Sequence, residues 1–166
     1  MDVLAELNLG SPPVRLRRAR AADVPAIVGL LADDVLGAGR DSMRTAADLA
    51  AYERAFELID RDPAHLLVVA EASAGGEAAG TFQLSFLPGL ARRGALRAQI
   101  EAVRVAAAWR GSGLGSAMIG WAIEEARRRD CALVQLSTDK SRGDAHRFYA
   151  KLGFVASHEG MKLALR

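Results

Sequence analysis

The feature that most constrains this chain is a glycine-rich hexapeptide between a predicted strand and a predicted helix. It runs Arg110, Gly111, Ser112, Gly113, Leu114, Gly115. Glycines at alternate positions let the backbone turn with positive φ and approach a ligand closely. The first amides of a helix lack intrahelical partners, and the helix dipole places about half a positive charge there. With Ser116 after it and a cation at its start, the hexapeptide therefore predicts a phosphate or diphosphate site.

The hexapeptide departs from two common glycine motifs that bind phosphates. A P-loop requires a lysine directly after its last glycine, and no lysine follows here. A dinucleotide fingerprint requires a third glycine at a position that Ser116 or Met118 occupies, depending on which glycine starts the count. The glycines could also form a tight strand-to-helix turn that holds no ligand.

Composition limits the class of protein. At 166 residues, with 51% hydrophobic and 25% charged side chains, the chain fits one compact domain rather than a disordered or fibrous protein. Its 22 basic and 20 acidic side chains are mixed along the chain, which argues against a nucleic-acid partner. The single cysteine, Cys131, and the scattered histidines predict neither a disulfide nor a metal site.

The chain also lacks the signals of export or membrane insertion. Its N-terminus does not have the basic and apolar regions of a signal peptide, and no apolar run reaches the length of a membrane span. We therefore expect a cytoplasmic protein with no membrane partner.

Periodicity predicts alternating strands and helices after a loose leader, residues 1–13, that ends in two prolines. One domain over residues 14–166 follows. The predicted strands cover residues 14–17, 65–69, 81–86, 96–106 and 132–136, with two more between 154 and 165. Four helices are predicted. The first begins at an N-cap, Asp23, and ends at residues 37–39, and the second begins at a capping box of Thr45 and Asp48 and ends at Arg61. The third runs from Leu114 to Arg129, and the fourth runs from an N-cap at Asp144 to Lys151.

A second motif lies at residues 144–154, with the sequence Asp-Ala-His-Arg-Phe-Tyr-Ala-Lys-Leu-Gly-Phe. Together with the hexapeptide and with residues 100–105, it resembles the GNAT superfamily of N-acetyltransferases. The close resemblance covers residues 99–155, and the order of elements is similar across nearly the whole chain. It implies an α/β (α+β) fold, with a central mixed, mostly antiparallel sheet of six to seven strands flanked by about four helices.

The resemblance implies that acetyl-coenzyme A is the co-substrate. In the family the pantetheine arm lies along the central strand, which implies backbone contacts at Val103 and Val105. The diphosphate would then lie on the glycine turn, at Arg110, Gly111, Ser112, Gly113, Leu114, Gly115 and Ser116.

Acetyl transfer to an amine needs a proton acceptor, because deprotonating a lysine-like amine of pKa about 10.4 costs about 4.6 kcal/mol at pH 7. The resemblance implies that Glu101 accepts this proton, directly or through water, and that Tyr149 protonates the departing thiolate. The alternatives are that Glu101 pairs with Arg97 or Arg104, and that Tyr149 is an aromatic packed beside two phenylalanines.

Four nearby residues have simpler or open interpretations. His146 is interpreted as a polar rim residue and Cys131 as a buried small hydrophobe. Arg142 stands where many relatives carry asparagine, and Ala107 stands where they carry proline. The contacts that Arg142 makes near the reacting thioester are left open.

The family's acceptor site is usually built from the loops that correspond here to residues 37–44 and 87–94. We predict transfer to a primary amine of a small molecule, by direct attack in a ternary complex. The alternatives are a protein lysine or N-terminal acetyltransferase, a non-catalytic acyl-CoA-binding regulatory module, and a nucleotide-binding module. A homodimer is also expected, since dimers are common among similar proteins.

Overall fold

The computed structural model describes residues 3–10, 13–34, 37, 39, 41–72 and 76–165. Its strands are β1 (Val3–Leu7), β2 (Val14–Arg18), β3 (His65–Ala72), β4 (Glu77–Leu87), β5 (Arg97–Val105) and β6 (Leu133–Leu136). They form one sheet in chain order, in which neighbours are antiparallel except for the parallel pair of β5 and β6. The prediction of an α/β fold with a mixed, mostly antiparallel sheet is confirmed.

Five helices occur in these ranges: α1 (Val24–Ala32), α2 (Ala46–Arg61), the short α3 (Ala91–Gly94), α4 (Leu114–Arg128) and α5 (Gly143–Lys151). The predicted capping box of α2 is present, because Thr45 Oγ1 accepts the Asp48 N–H at 3.1 Å and Asp48 Oδ2 accepts the Thr45 N–H at 2.9 Å. None of the helices in the described ranges has both the length and the apolar character needed to cross a membrane.

The two faces of the sheet carry two separate apolar clusters. Alternate strand residues such as Val14, Leu16 and Ile100 are buried together with the inward side of α4, and α5 packs against this larger cluster. On the opposite face, Val69 is buried with residues of α1 and α2. The helices α1 and α2 therefore lie on one side of the sheet, and α4 and α5 lie on the other.

The prediction that residues 1–13 form a loose leader is wrong for Val3–Leu7, which form β1. Val3–Leu7 pairs antiparallel with β2, and Leu4 and Leu7 pack against the larger cluster. Pro13 lies in the connection between these two strands. Met1, Asp2, Ser11 and Pro12 lie outside the described residues.

Two predicted boundaries and two predicted strands also differ from the structure. Helix α1 ends at Ala32 rather than at residues 37–39, and α5 has Arg142 at its N-cap, so that Asp144 lies in the first turn. A carboxylate in that turn suits the helix dipole without capping it. The two strands expected between residues 154 and 165 are absent from this described segment, none of whose residues pairs with a strand of the sheet.

A buried arginine fastens β2 to the start of α1. Arg17, whose side chain is 6% exposed, pairs with Asp23 at 2.6 Å and with Glu71 of β3 at 2.9 Å. Burial alone would raise the pKa of Asp23, but the hydrogen bonds from Arg17 and from the Arg20 N–H lower it overall. The hydrogen bond to Asp23 likewise raises the pKa of Arg17. Because Asp23 has a lowered pKa, its contribution to stability is present at neutral pH and is lost in acid.

We predict that Arg17→Met lowers the free energy of unfolding by about 3–5 kcal/mol, because it leaves two poorly solvated carboxylates without their cation. The control is Arg15→Met on the same strand. Its ion pair with Glu6 is long, at 3.5 Å, and largely exposed, so the loss should stay below about 1 kcal/mol. Urea unfolding at neutral pH measures both, and equal losses in the two variants would contradict the prediction.

Candidate functional site

The site begins where the two parallel strands part. Strand β6 pairs with β5 only over Arg97–Ile100, while β5 continues to Val105. Residues 101–105 therefore present a main-chain edge on the β6 side that no strand covers within the described structure. Such an edge offers N–H and C=O groups for hydrogen bonding to an extended ligand.

A β-bulge at Ala102 interrupts this part of β5. Glu101 lies opposite Gln83 and Arg104 lies opposite Thr81, so one residue of β4 faces two residues of β5. The φ of Ala102 is +53°, a left-handed conformation that is uncommon for a residue with a side chain.

The bulge decides which side chains of β5 share a face. Before it, Ile100 points into the cluster on the α4 side; after it, Val103 and Val105 do. Without the extra residue, strict alternation would turn Arg104 toward that apolar cluster. With it, Glu101 and Arg104 both lie on the side of α1.

The glycine turn has the geometry expected for an anion site. Gly111 and Gly113 have φ values of +80° and +86°, and Gly113 is the N-cap of α4. The Ala117 N–H donates to the Gly113 carbonyl at 3.0 Å, which begins the helical hydrogen bonding. The amides of Gly115 and Ser116 precede that bond and therefore lack an intrahelical acceptor. The Leu114 N–H donates to Ser112 Oγ at 3.3 Å.

A cavity of about 300 Å³ lies between the β5 edge, the turn and the end of α1. Its lining consists of Asp33, Asp34, Val103, Arg104, Val105, Arg110 and Arg142. A second cavity, of about 550 Å³, shares Asp34, Arg110 and Arg142 with it and extends along the start of α5. Three guanidinium groups and two carboxylates therefore face one space, which leaves an excess positive charge.

Two adjacent aspartates at the end of α1 span this space. Arg110 Nη2 donates to Asp33 Oδ2 at 2.9 Å and to the Asp33 carbonyl at 3.1 Å. Asp34 Oδ2 accepts from Arg142 and, at 3.5 Å, from Arg104 Nη2. The Asp33–Asp34 pair thus links α1 to the glycine turn, to β5 and to the N-terminus of α5.

The arginines also contact the strand carbonyls where pantetheine is predicted to bind. Arg104 Nη1 donates to the Val103 carbonyl at 2.8 Å, and Arg110 Nε donates to the Val105 carbonyl at 3.3 Å. Of the two predicted backbone positions, Val105 is therefore in direct contact with Arg110, the predicted diphosphate cation.

Tyr149 is packed among aromatic rings beside the arginine cluster. Its ring lies edge-on against Phe148 and Phe154, at centroid distances of 5.0 and 5.7 Å. Burial raises the pKa of its phenol, while the charges of Arg104 and Arg142 lower it and offset part of that rise. The phenol is therefore protonated at neutral pH and lies within the electrostatic influence of the arginines.

The other predicted residues are placed as follows. Glu101 is exposed, and Arg104 forms an ion pair with Asp34 at 3.5 Å. His146 Nε2 lies 3.0 Å from the Asp139 carbonyl, in keeping with a rim position. Cys131 is half-buried rather than fully buried, and burial raises the pKa of its thiol.

Asp33 and Asp34 are functional candidates that sequence reasoning missed. One signal was available, because two carboxylates at a helix C-terminus oppose the helix dipole and need cations nearby. Nothing in the local sequence indicates that those cations are 77 and 108 residues away.

Comparison with known proteins identifies related chains. The family model described as acetyltransferase (GNAT) family matches residues 34–154, more than half of the chain. The aminoalkylphosphonate N-acetyltransferase of Salmonella typhimurium strain LT2 is 43% identical over 60 residues, which is 36% of this chain and only 39% of that relative's length.

Two solved structures are similar over most of this chain. A crystal structure described as a transcriptional regulator from Bacillus halodurans C-125 is 46% identical, with a TM-score of 0.85 over 92% of this chain and 99% of that one. A putative acetyltransferase from Agrobacterium tumefaciens str. C58 is 30% identical, with a TM-score of 0.75 over 90% of this chain and 98% of that one.

We predict that Asp34→Asn lowers the pKa of Tyr149, because Arg104 and Arg142 lose the carboxylate that partly cancels their charge. Tyrosinate absorbance during an alkaline titration measures this shift. The Tyr52→Phe background leaves Tyr149 as the only tyrosine. Asp33→Asn is the control, since Asp33 pairs with Arg110 instead; a rise in the Tyr149 pKa in Asp34→Asn would contradict the prediction.

Proposed function

The chain belongs to the acetyltransferase (GNAT) family, and on that premise we propose that it is an acetyl-CoA-dependent N-acetyltransferase that acts on the primary amine of a small molecule carrying an anionic group. The observation that carries this proposal is the arginine-lined space beside an uncovered strand edge and a helix N-terminus. The edge and the turn suit the coenzyme, and the excess positive charge suits an acidic acceptor.

The coenzyme would lie along β5 and across the glycine turn. Its pantetheine arm would use the main chain at Val103 and Val105, and its diphosphate would use Arg110 and the amides from Gly111 to Ser116. The amides of Gly115 and Ser116 support this placement because they have no intrahelical acceptor. The positive φ of Gly113 supports it because a side chain there would strain the turn.

The contacts that Arg110 makes in this structure are weak enough to be replaced. The side chains of Arg110 and Asp33 are 56 and 58% exposed, and such an ion pair is worth about 0–1 kcal/mol. A diphosphate carries more charge than one carboxylate and can also accept from the turn amides. Arg110 would therefore exchange Asp33 for the coenzyme with little loss of free energy.

The chemical step in this proposal is direct attack of the amine on the thioester. Glu101, exposed on the α1 side of β5, would accept the ammonium proton directly or through water. The neutral nitrogen would then bond to the carbonyl carbon as the carbon–sulfur bond breaks, and it would release its second proton to water as the amide forms. Tyr149, which burial keeps protonated at neutral pH, would give its proton to the departing thiolate.

The acceptor class is proposed from the arginines that the coenzyme does not need. Arg142 lines both cavities and shares the Asp34 carboxylate with Arg104, so it is positioned to bind an anionic group of the acceptor. The Salmonella relative is named for aminoalkylphosphonates, whose phosphonate could accept two hydrogen bonds from one guanidinium. Aminoalkylphosphonates and the corresponding carboxylates are therefore the proposed acceptors.

One observation favours a second candidate, a non-catalytic acyl-CoA-binding regulatory module. The 46% identical structure from Bacillus halodurans is described as a transcriptional regulator. The same open edge and glycine turn would serve coenzyme binding without turnover. A cytoplasmic location, a single domain and a homodimer stay predictions in either case.

The first test is thiol release from acetyl-CoA with three matched acceptors: an aminoalkylphosphonate, the corresponding carboxylate and the uncharged alkylamine. We expect kcat/KM to be about 100-fold higher or more for the anionic acceptors, the effect of a charged hydrogen bond worth about 3 kcal/mol. Arg142→Gln should reduce that preference at least about tenfold. Arg147→Gln is the control, because Arg147 is exposed on α5 and pairs only locally with Asp144.

Two results would count against this proposal. Equal activity on the three acceptors would contradict the anionic class alone. Coenzyme binding without thiol release from any amine would favour the regulatory module.

A second test addresses the coenzyme site. Gly113→Val should weaken acetyl-CoA binding at least tenfold, or about 1.4 kcal/mol, because a β-branched residue does not tolerate a φ of +86°. Gly120→Ala is the control, since it lies within α4 with no atom near the new methyl group and should leave the affinity unchanged. Calorimetry gives the affinities and circular dichroism checks the fold; unchanged affinity in folded Gly113→Val would contradict the placement.

A further inference from the structure

Polar side chains form a line across four strands, on the face of the sheet against which α1 and α2 pack. The members of this line lie opposite one another in the strand register and belong to β3, β4, β5 and β6 in turn: His65, Ser85, Gln99 and Gln135. The alternating residues Leu84 and Ile100 are buried in the larger apolar cluster on the other face. His65 Nδ1 lies 2.8 Å from Ser85 Oγ, and Gln135 Nε2 donates to Gln99 Oε1 at 2.6 Å.

The apolar cluster beneath α1 and α2 does not extend to β5 or β6. Its strand residues among the described part of the chain, such as Leu67 and Val69, come from β3 and β4. On β5, Glu101 is exposed, and Gln99 and Gln135 beside it are half-buried. This part of the face is therefore both polar and accessible to a ligand.

The glutamines on this face have unused hydrogen-bonding capacity. Gln83 lies opposite Glu101 in the register, and its Nε2 donates to Ser85 Oγ at 3.3 Å. Among the described residues, no hydrogen bond uses Gln83 Oε1, Gln99 Nε2 or Gln135 Oε1. One donor and two acceptors are therefore free to bind the amide groups of a ligand.

Arg97 continues the same face toward the start of β5. Glu101, Gln99 and Arg97 occupy every second position of the strand, so Arg97 lies about 13 Å from Glu101, at about 3.3 Å per residue. Its neighbours across the sheet are apolar, Leu87 on β4 and Leu133 on β6. Its guanidinium is half-buried and makes no ion pair or hydrogen bond with the described residues. Such a guanidinium is positioned to bind an anion from outside the chain.

The β4–β5 connection adds two cations to this end of the face. Residues 88–96 contain Arg92 and Arg93 and no acidic residue. The φ values of these arginines are +55° and +61°, a left-handed conformation that L-residues adopt only at a cost in free energy. A Cβ atom on Gly89 would lie 3.8 Å from Arg97 Nη2, so the Arg97 guanidinium reaches this connection. Strained residues of this kind are found most often at functional sites.

We propose that the surface from Glu101 to Arg97 binds an extended acceptor, a short peptide with a free amine at one end and a carboxylate at the other. This inference rests on the proposed transfer to an amine, because it places that amine at Glu101. The surface, here called the polar strip, consists of these two residues and the amide side chains between and beside them: Gln83, Gln99 and Gln135.

The dimensions of the polar strip match those of an extended peptide. Its successive residues on β5 are about 6.6 Å apart, and an extended peptide repeats its polar groups at the same two-residue interval. A peptide of four residues spans about 13 Å, so an amine beside Glu101 places the carboxylate beside Arg97. The peptide amides would pair with the unused groups of the glutamines. Arg142 would serve acceptors whose anion is close to the amine, and Arg97 those whose anion is distant.

Thiol release from acetyl-CoA with tetraglycine and tetraglycine amide tests the polar strip. We expect the wild type to favour the carboxylate form in kcat/KM by about tenfold or more, the effect of a charged hydrogen bond. Arg97→Gln should bring that ratio close to one, whereas the control Arg147→Gln should preserve it, because Arg147 is exposed on α5. Diglycine is too short to span the strip, so Arg97→Gln should not change its ratio of free to amidated form.

A binding measurement gives the same comparison without any transfer. Coenzyme A lacking the acetyl group is added in excess, and the amide signals of the ¹⁵N-labelled chain are followed by NMR as each peptide is titrated. We expect shifts at residues 97–101 and a Kd for tetraglycine at least about fivefold lower than for its amide. Arg97→Gln, checked for its fold by circular dichroism, should bind the two peptides equally.

Equal binding of tetraglycine and its amide by the wild type overturns the peptide subsite. A preference for the carboxylate that persists in folded Arg97→Gln also overturns it, because another cation then binds that group. Failure of the proposed activity is a separate result: carboxylate-dependent binding without thiol release from any acceptor supports the subsite and contradicts only the transfer.

Discussion

The architecture of the candidate site depends on β5 continuing after β6 has ended. Beyond Ile100 the central strand keeps its partner on the β4 side and loses it on the other, and its polar main-chain groups must be satisfied elsewhere. Arginine side chains take that position at Val103 and Val105. The uncovered edge of β5 is bordered by the glycine turn, the end of α1 and the start of α5. The cavity therefore exists because β5 and β6 separate, and no single loop forms it.

Ion pairs in this protein have opposite functions according to their burial. Arg17 pairs with Asp23 and Glu71 in surroundings that exclude water. Removing one partner there leaves an uncompensated buried charge, which lowers the free energy of unfolding. Arg110 and Asp33 make a pair of similar length in largely exposed surroundings, where water and ligands compete with it. The first pair therefore belongs to the scaffold, whereas the second can be rearranged when an anion enters.

Much of this arrangement could be predicted from local sequence. Periodicity located the five strands and four longer helices after the N-terminal segment, and the alternate glycines located the open helix terminus. Local patterns could not show that β1 would pair with β2, nor that residues 155–165 would form no strand in the described structure. The Asp33–Asp34 pair escaped prediction because its partners are distant in sequence, and the roles of Glu101 and Tyr149 stay predictions because chemistry requires a bound substrate.

Because of the bulge at Ala102, the arrangement of side chains on β5 depends more on the number of residues in the strand than on which residue occupies position 102. Alanine is not a residue type that predicts a left-handed conformation. Deleting the position would invert every later side chain of β5, which would drive a guanidinium into the apolar interior and turn two valines outward. A single-codon deletion there would therefore disrupt the apolar interior and the face that carries Glu101 and Arg104 together.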